Sequence, residues 1–155
     1  MDIYFLDEIF DKMKDELDIN NIITLLEKYK GDDWKQYTLS NNIEWINEIY
    51  HKILIKKLTN YEVYLIYWNK NIVSPIHDHP SKGCVFKVLE GELIEDLYYN
   101  NDNNITFNSR NILYKNNISY NNSNIILHKI INQEHDSISI HIYFPPDFIQ
   151  KQYFI

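Results

Sequence analysis

Two histidines one residue apart, His77 and His79 in the stretch SPIHDHP, are the first side chains in this sequence with evident chemistry. In an extended strand, residues i and i+2 point to the same face, so both imidazoles project one way and Asp78 the other. A third histidine, His128, follows the apolar run NIIL and is positioned to meet them from another strand. Three neutral imidazoles make a strong site for a divalent first-row metal and leave coordination positions free. The commoner iron oxygenase site has two histidines and a carboxylate. Asp78 is the nearby candidate for that carboxylate, and strand alternation turns it away, toward the surface or a supporting role. Taken alone, the pair would serve equally well as two surface histidines on a half-buried strand.

Positioning such a site needs a scaffold, and the sequence changes character along its length. In the first third, Phe5, Leu6, Ile9, Phe10, Met13 and Leu17 recur at three- and four-residue steps, the pattern of one helix face. A second stripe, Ile22, Ile23, Leu25, Leu26 and Tyr29, stops near Gly31; a third carries Ile43, Ile46, Ile49, Tyr50 and Ile53. From about residue 61 the runs become short, β-branched and aromatic: YEVYLIYW, CVFKVLEG, GELIEDLYY, NIIL and SISIHIYF. Asn-rich stretches between them, NNDNN, KNNISYNNSN and INQEHD, read as loops. The pattern predicts one domain over residues 1–155, mainly helical over 1–58 and a small β-barrel or sandwich over 59–155.

Composition narrows the function classes. A 155-residue chain that is 45% apolar can bury one real core. Its formal net charge of −7 argues against a sequence-independent grip on nucleic acid, which needs a basic face, and mildly against docking on anionic lipid. The acidic, amphipathic start MDIYFLDEIFDKMKDELD does not resemble a signal or transit peptide, and no apolar run approaches the roughly 20 residues needed to span a bilayer. The single cysteine, Cys84, fits a reducing compartment. A soluble, cytoplasmic monomer is expected.

The spacing around the histidines is more specific than the histidines themselves. Four residues separate His79 from Cys84, six separate Cys84 from Gly91, and three separate His128 from Asn132. These intervals resemble the two metal-binding motifs of the cupin barrels, HxHx(3–4)Ex(6)G and Hx(3)N, with cysteine in place of the usual glutamate. Within that superfamily HxHx(4)C is similar to the pattern of the cysteine dioxygenases. Trp68 matches a tryptophan of that family, and SIHIYFPP resembles its S-x-H-x-Y-x-P-P segment.

The resemblance implies a mainly β cupin (jelly-roll-like) barrel with N-terminal α-helices. It implies Fe(II) held by His77, His79 and His128, and oxidation of L-cysteine with O2 to cysteine sulfinic acid. It places Cys84 and Tyr143 where some members form a thioether cross-link. Ser139 and His141 would form a relay that orients the Tyr143 phenol, and Trp68 and Tyr50 would line the substrate. The family's carboxylate-binding arginine falls in YHKILI, which makes Lys52 the first candidate for that role and His51 the second. Lysine brings charge without the planar two-pronged grip of a guanidinium. Oxidation of another small thiol (3-mercaptopropionate, cysteamine or an N-terminal cysteine) and a non-catalytic metal-binding cupin stand as alternatives. The resemblance further implies a cis bond before Pro145. Family members continue for some tens of residues past this segment, so either an open pocket edge or a barrel edge left for a partner to cover is expected on the C-terminal side.

Overall fold

The computed structural model describes residues 1–40, 50–122 and 125–155. Helix α1 (Leu6–Met13) buries Leu6, Ile9, Phe10 and Met13, four of the six residues of the first stripe. Phe5 and Leu17 fall outside it and are exposed. Helix α2 (Ile19–Lys28) starts at Asp18, whose carboxylate accepts the Asn20 N–H at 2.9 Å, an N-cap. Helix α3 (Lys35–Ser40) is short. Of the third stripe, Ile43, Ile46 and Ile49 lie outside the described residues.

Ile53, the last member of that stripe, is not helical. It sits in strand β1 (His51–Lys57), so the expected helical stretch to residue 58 ends earlier. The reason is tertiary: β1 lies antiparallel to β2 (Glu62–Trp68), from His51 opposite Tyr67 to Lys57 opposite Glu62. Pairing satisfies its backbone groups, and Ile53 and Ile55 are β-branched.

The remaining strands are β3 (Ile72–Val73), β4 (Ile76–His77), β5 (Gly83–Glu90), β6 (Leu93–Asn101), β7 (Asn104–Leu113), β8 (Ile118–Asn121), β9 (Ile126–Asn132), β10 (Ser137–Phe144) and β11 (Gln152–Tyr153). They form two sheets, in order β1-β2-β10-β5-β8 and β11-β4-β9-β6-β7, with β3 paired to β9. The NNDNN stretch is the β6–β7 turn, where Asp102 and Asn103 take positive φ as a two-residue hairpin requires. Gly91, between β5 and β6, has φ +77°, and a Cβ there would stand 2.4 Å from Ser137 Oγ.

The helices cover the outer face of the five-stranded sheet. Ile138, Ile140 and Ile142 of β10, with Val63, Leu65, Val85 and Leu89, pack against Leu6, Ile9, Met13, Ile22 and Leu26. The alternate residues of the same strands face inward: Ser139, His141 and Tyr143 on β10, Tyr64, Ile66 and Trp68 on β2, and Cys84, Phe86 and Val88 on β5. Every residue of β10 is therefore buried, one set serving the core and the other the interior of the barrel. Lys87 points outward from β5 into the helical layer. Its ammonium donates to the carbonyls of Leu26 (2.9 Å), Glu27 (3.2 Å) and Tyr29 (2.5 Å) at the end of α2.

The expected open edge on the C-terminal side is covered. Strand β11 pairs with β4, with Gln152 opposite His77 and Tyr153 opposite Ile76.

Candidate metal centre

His77 on β4 and His128 on β9 are direct cross-strand partners, and His79 follows just past the end of β4. The sequence called for an extended strand through both histidines. Two paired residues suffice, and the side chains still converge. His128 Nε2 lies 2.8 Å from His77 Nε2 and 3.0 Å from His79 Nε2, and all three rings are buried.

The other ring nitrogens fix the protons. His77 Nδ1–H donates to the Pro75 carbonyl at 2.8 Å, and His128 Nδ1–H donates to Glu95 Oε2 at 2.7 Å. Both acceptors lack a proton to give, so each Nδ1 carries the hydrogen and each Nε2 is a bare lone pair. Two lone pairs 2.8 Å apart repel, and a cation between them turns that repulsion into ligation. At a metal–nitrogen distance of ~2.1 Å, ligands at right angles stand ~3.0 Å apart and tetrahedral ones ~3.4 Å. The two spacings made by His128 are near the right-angled value, and all three candidate ligand atoms lie within 4.8 Å of one another. Burial, followed by the nearness of His128 where a second positive charge would be repelled, holds His77 and His79 well below the usual imidazole pKa, so both rings are neutral.

Glu95, on β6, is a residue that no motif in the sequence marks. It is almost fully buried, and its carboxylate also accepts from Ser119 Oγ (2.6 Å) and Asn121 Nδ2 (2.9 Å), both on β8. Burial alone would raise its pKa; the hydrogen bonds from His128, Ser119 and Asn121 outweigh that and hold it below the usual range. An acidic residue inside the apolar strand LIEDLYY was the available signal. Its neighbour Asp96 faces the other way and takes a two-pronged bond from Arg110 at 2.7 and 2.9 Å.

The five-stranded sheet supplies the facing wall. Cys84 and Tyr143 are register partners on β5 and β10, and the thiol and phenol are in hydrogen-bond contact. Burial pushes both the Cys84 thiol and the Tyr143 phenol above their ordinary pKa values. Ser139 Oγ lies 2.7 Å from His141 Nε2 and accepts the Trp68 Nε1–H at 2.8 Å. Indole only donates, so the serine hydroxyl gives its hydrogen to His141 Nε2, and His141 carries its own on Nδ1. That Nδ1 lies 4.0 Å from Cys84 Sγ. The relay expected to orient the Tyr143 phenol runs instead from Trp68 through Ser139 to His141 and faces the sulfur of Cys84, with the His141 and Tyr143 rings 6.2 Å apart. Phe86 stacks on His141 at 4.7 Å and holds its plane.

Strand register separates Lys52 from His51. Lys52 stands opposite Ile66, a cavity residue, whereas His51 stands opposite Tyr67, which packs on the helical side. The Lys52 stem is exposed, but its ammonium lies 4.3 Å from the Tyr64 ring centre and 4.5 Å from that of Tyr143. Burial lowers its pKa, and Cys84 and Glu62 partly offset this. Tyr50 packs on Trp68 at 4.7 Å. Tyr50, Trp68, the three histidines, Cys84, His141, Tyr143 and Gln150 line a cavity of about 10 Å³, room for about one water-sized group, and Lys52 is not among the residues that line it. Gln150 was not anticipated; no motif marks it.

Other expectations resolve simply. Asp78 turns away from the ligands and accepts the Lys151 N–H at 2.8 Å. Asn132 ties loops together, its amide nitrogen facing the carbonyls of Trp68, Asn69 and His135. His135 is exposed, and the Phe144–Pro145 bond is cis. No helix among the described residues is long and apolar enough to cross a membrane.

Comparison with known proteins agrees with this architecture. The chain resembles the crystal structure of TT1209 from Thermus thermophilus (TM-score 0.58, 15% identity), covering 74% of this chain and 95% of that one. It resembles a conserved protein with a double-stranded β-helix domain from Klebsiella pneumoniae subsp. pneumoniae (TM-score 0.59, 13% identity; 77% and 87% covered). An oxalate oxidase in complex with the substrate analogue glycolate is similar at TM-score 0.54 and 10% identity (66% and 53% covered). At such identities these likenesses establish the fold, a cupin barrel. A family model described as cysteine dioxygenase type I matches residues 2–154.

Proposed function

Since this chain belongs to the cysteine dioxygenase type I family, we propose that it oxidises L-cysteine with O2 to cysteine sulfinic acid at Fe(II) held by His77, His79 and His128. The facing lone pairs of His77 and His128 carry this reading, because they call for a cation between them. The reaction balances without a further reductant: both oxygen atoms go to sulfur, which loses the four electrons that O2 gains. Fe(II), held by the three histidines, would supply the redox chemistry.

The protein's own groups do the rest. Lys52 meets the substrate carboxylate, its ammonium held in place by the rings of Tyr64 and Tyr143. Tyr143 remains protonated near neutral pH because burial raises its pKa, so its phenol is a donor toward substrate. His141 is neutral because burial lowers its pKa, and its Nδ1–H steadies the Cys84 sulfur beside that phenol. The tight cavity excludes bulk water from the reacting sulfur.

Lys52 favours a second reading within the same chemistry. A point charge grips a carboxylate less selectively than a guanidinium, so 3-mercaptopropionate, which keeps the carboxylate and lacks the amine, is the leading alternative substrate. The test is anaerobic loading with Fe(II), then oxygen uptake and mass-spectrometric product analysis with a panel of thiols. Cysteine sulfinic acid as the main product is expected. Iron fully bound with no thiol-dependent oxygen uptake would overturn the assignment and favour a non-catalytic metal-binding cupin.

A further inference from the structure

Residues 145–155 are bolted to the loop that carries the histidines, and Gln150 among them lines the cavity. Asp78, between His77 and His79, accepts the Lys151 N–H on Oδ1 (2.8 Å), and its own N–H donates to the Lys151 carbonyl (3.2 Å). The next two residues form β11 against Ile76 and His77. Tyr153 then buries its ring with Ile76, Tyr98, Ile105 and Leu127. On the opposite sheet, Asp147 pairs with Lys57 at 2.6 Å. The residue just before this clamp is Gln150, which lines the cavity together with Tyr50. Tyr50 in turn rests on Trp68.

We infer that Gln150 is a specificity-determining residue that closes the cavity with Tyr50 around a short acidic thiol, and that Asp78 is the residue positioning it. The inference rests on the reading of this cavity as a thiol-oxidising site. The Gln150 amide offers two hydrogens and a carbonyl oxygen to Tyr50 and to the substrate. Among the described residues no carboxylate lines the cavity, and Gln150 completes the wall with a neutral amide that adds no charge. The fixed tail sets the height of that wall above the histidines and therefore the length of thiol that fits. This also gives the central Asp78 of HDH a purpose: it faces away from the ion to hold the tail that faces the substrate.

The experiment uses the iron-loaded full chain with cysteine, 3-mercaptopropionate and cysteamine, the last lacking a carboxylate. Gln150→Ala should raise KM for cysteine about 5- to 20-fold, as loss of one or two substrate hydrogen bonds does, with kcat within about twofold. Gln150→Glu, of nearly the same shape, places a negative charge in the cavity. It should lower the cysteine-to-cysteamine ratio of kcat/KM by at least about tenfold. Asp78→Ala should raise KM as Gln150→Ala does, speed tryptic cleavage after Lys151, and leave iron content unchanged. An unchanged thiol profile in both Gln150 variants would overturn the specificity role. Loss of iron with KM intact in Asp78→Ala would overturn its positioning role. A wild-type protein that binds iron yet oxidises none of the three thiols would instead sink the enzymatic reading itself.

Discussion

Among single side chains, His128 and Glu95 act as one unit. The carboxylate holds the imidazole by Nδ1 and raises the basicity of the nitrogen that faces the ion, while Ser119 and Asn121 hold the carboxylate. Glu95→Gln is expected to weaken Fe(II) or Co(II) binding about 10- to 100-fold, read by competition with a chelating dye. Equal affinity would mean that the pair is only a packing contact. A second prediction concerns acid. His77, His79 and His141 are buried and neutral, with pKa values below those of an unfolded chain. Below pH ~6.5 the unfolded chain takes up protons that the folded chain refuses, so stability falls as pH falls, by about 1.4 kcal/mol per pH unit for each group. Melting of the metal-free protein between pH 7 and pH 5 should show the drop, and a flat profile would contradict the burial of these rings as neutral groups. The sequence made His77, His79, His128, Cys84 and Tyr143 legible because their intervals along the chain carry the pattern. Glu95 and Gln150 were not legible, since each acquires its role from a partner far away in the chain.

The elements differ in how much they disclose. Strands β2, β5, β6, β9 and β10 are readable as β-branched and aromatic runs. Strands β3, β4 and β11 have two residues each and exist only through their pairing, so no local pattern announces them. Strand β7 is an edge strand exposed at most positions and shows no apolar alternation. Strand β1 reads as helix because its isoleucine falls in step with those before it. The helical layer is joined to the barrel by Lys87, which occupies an ordinary-looking position in the run CVFKVLEG. Burial pushes its ammonium down to about 8, and three carbonyls surround it. Lys87→Met would strand those carbonyls and is expected to cost about 2–4 kcal/mol, seen as a lower urea midpoint with the slope preserved. A neutral result would mean that water replaces the ammonium at the end of α2.

For the molecule as a whole, binding an ion should act as a staple between strands distant in sequence. Anaerobic Fe(II) or Co(II) at about a hundred times its dissociation constant should add about 2.7 kcal/mol of stability and raise the Tm, and His128→Ala should abolish the rise. A Tm unmoved by any divalent metal would remove the centre from consideration. The two sheets also divide the labour. His77, His79, His128 and Glu95 belong to the six-stranded sheet and its loop, whereas Lys52, Trp68, Cys84, Ser139, His141 and Tyr143 all belong to the five-stranded one. Lineages descended from such a barrel can therefore retarget it by drift on one slab and on the tail that carries Gln150, trading one sulfur compound for another while the histidine cluster is inherited intact.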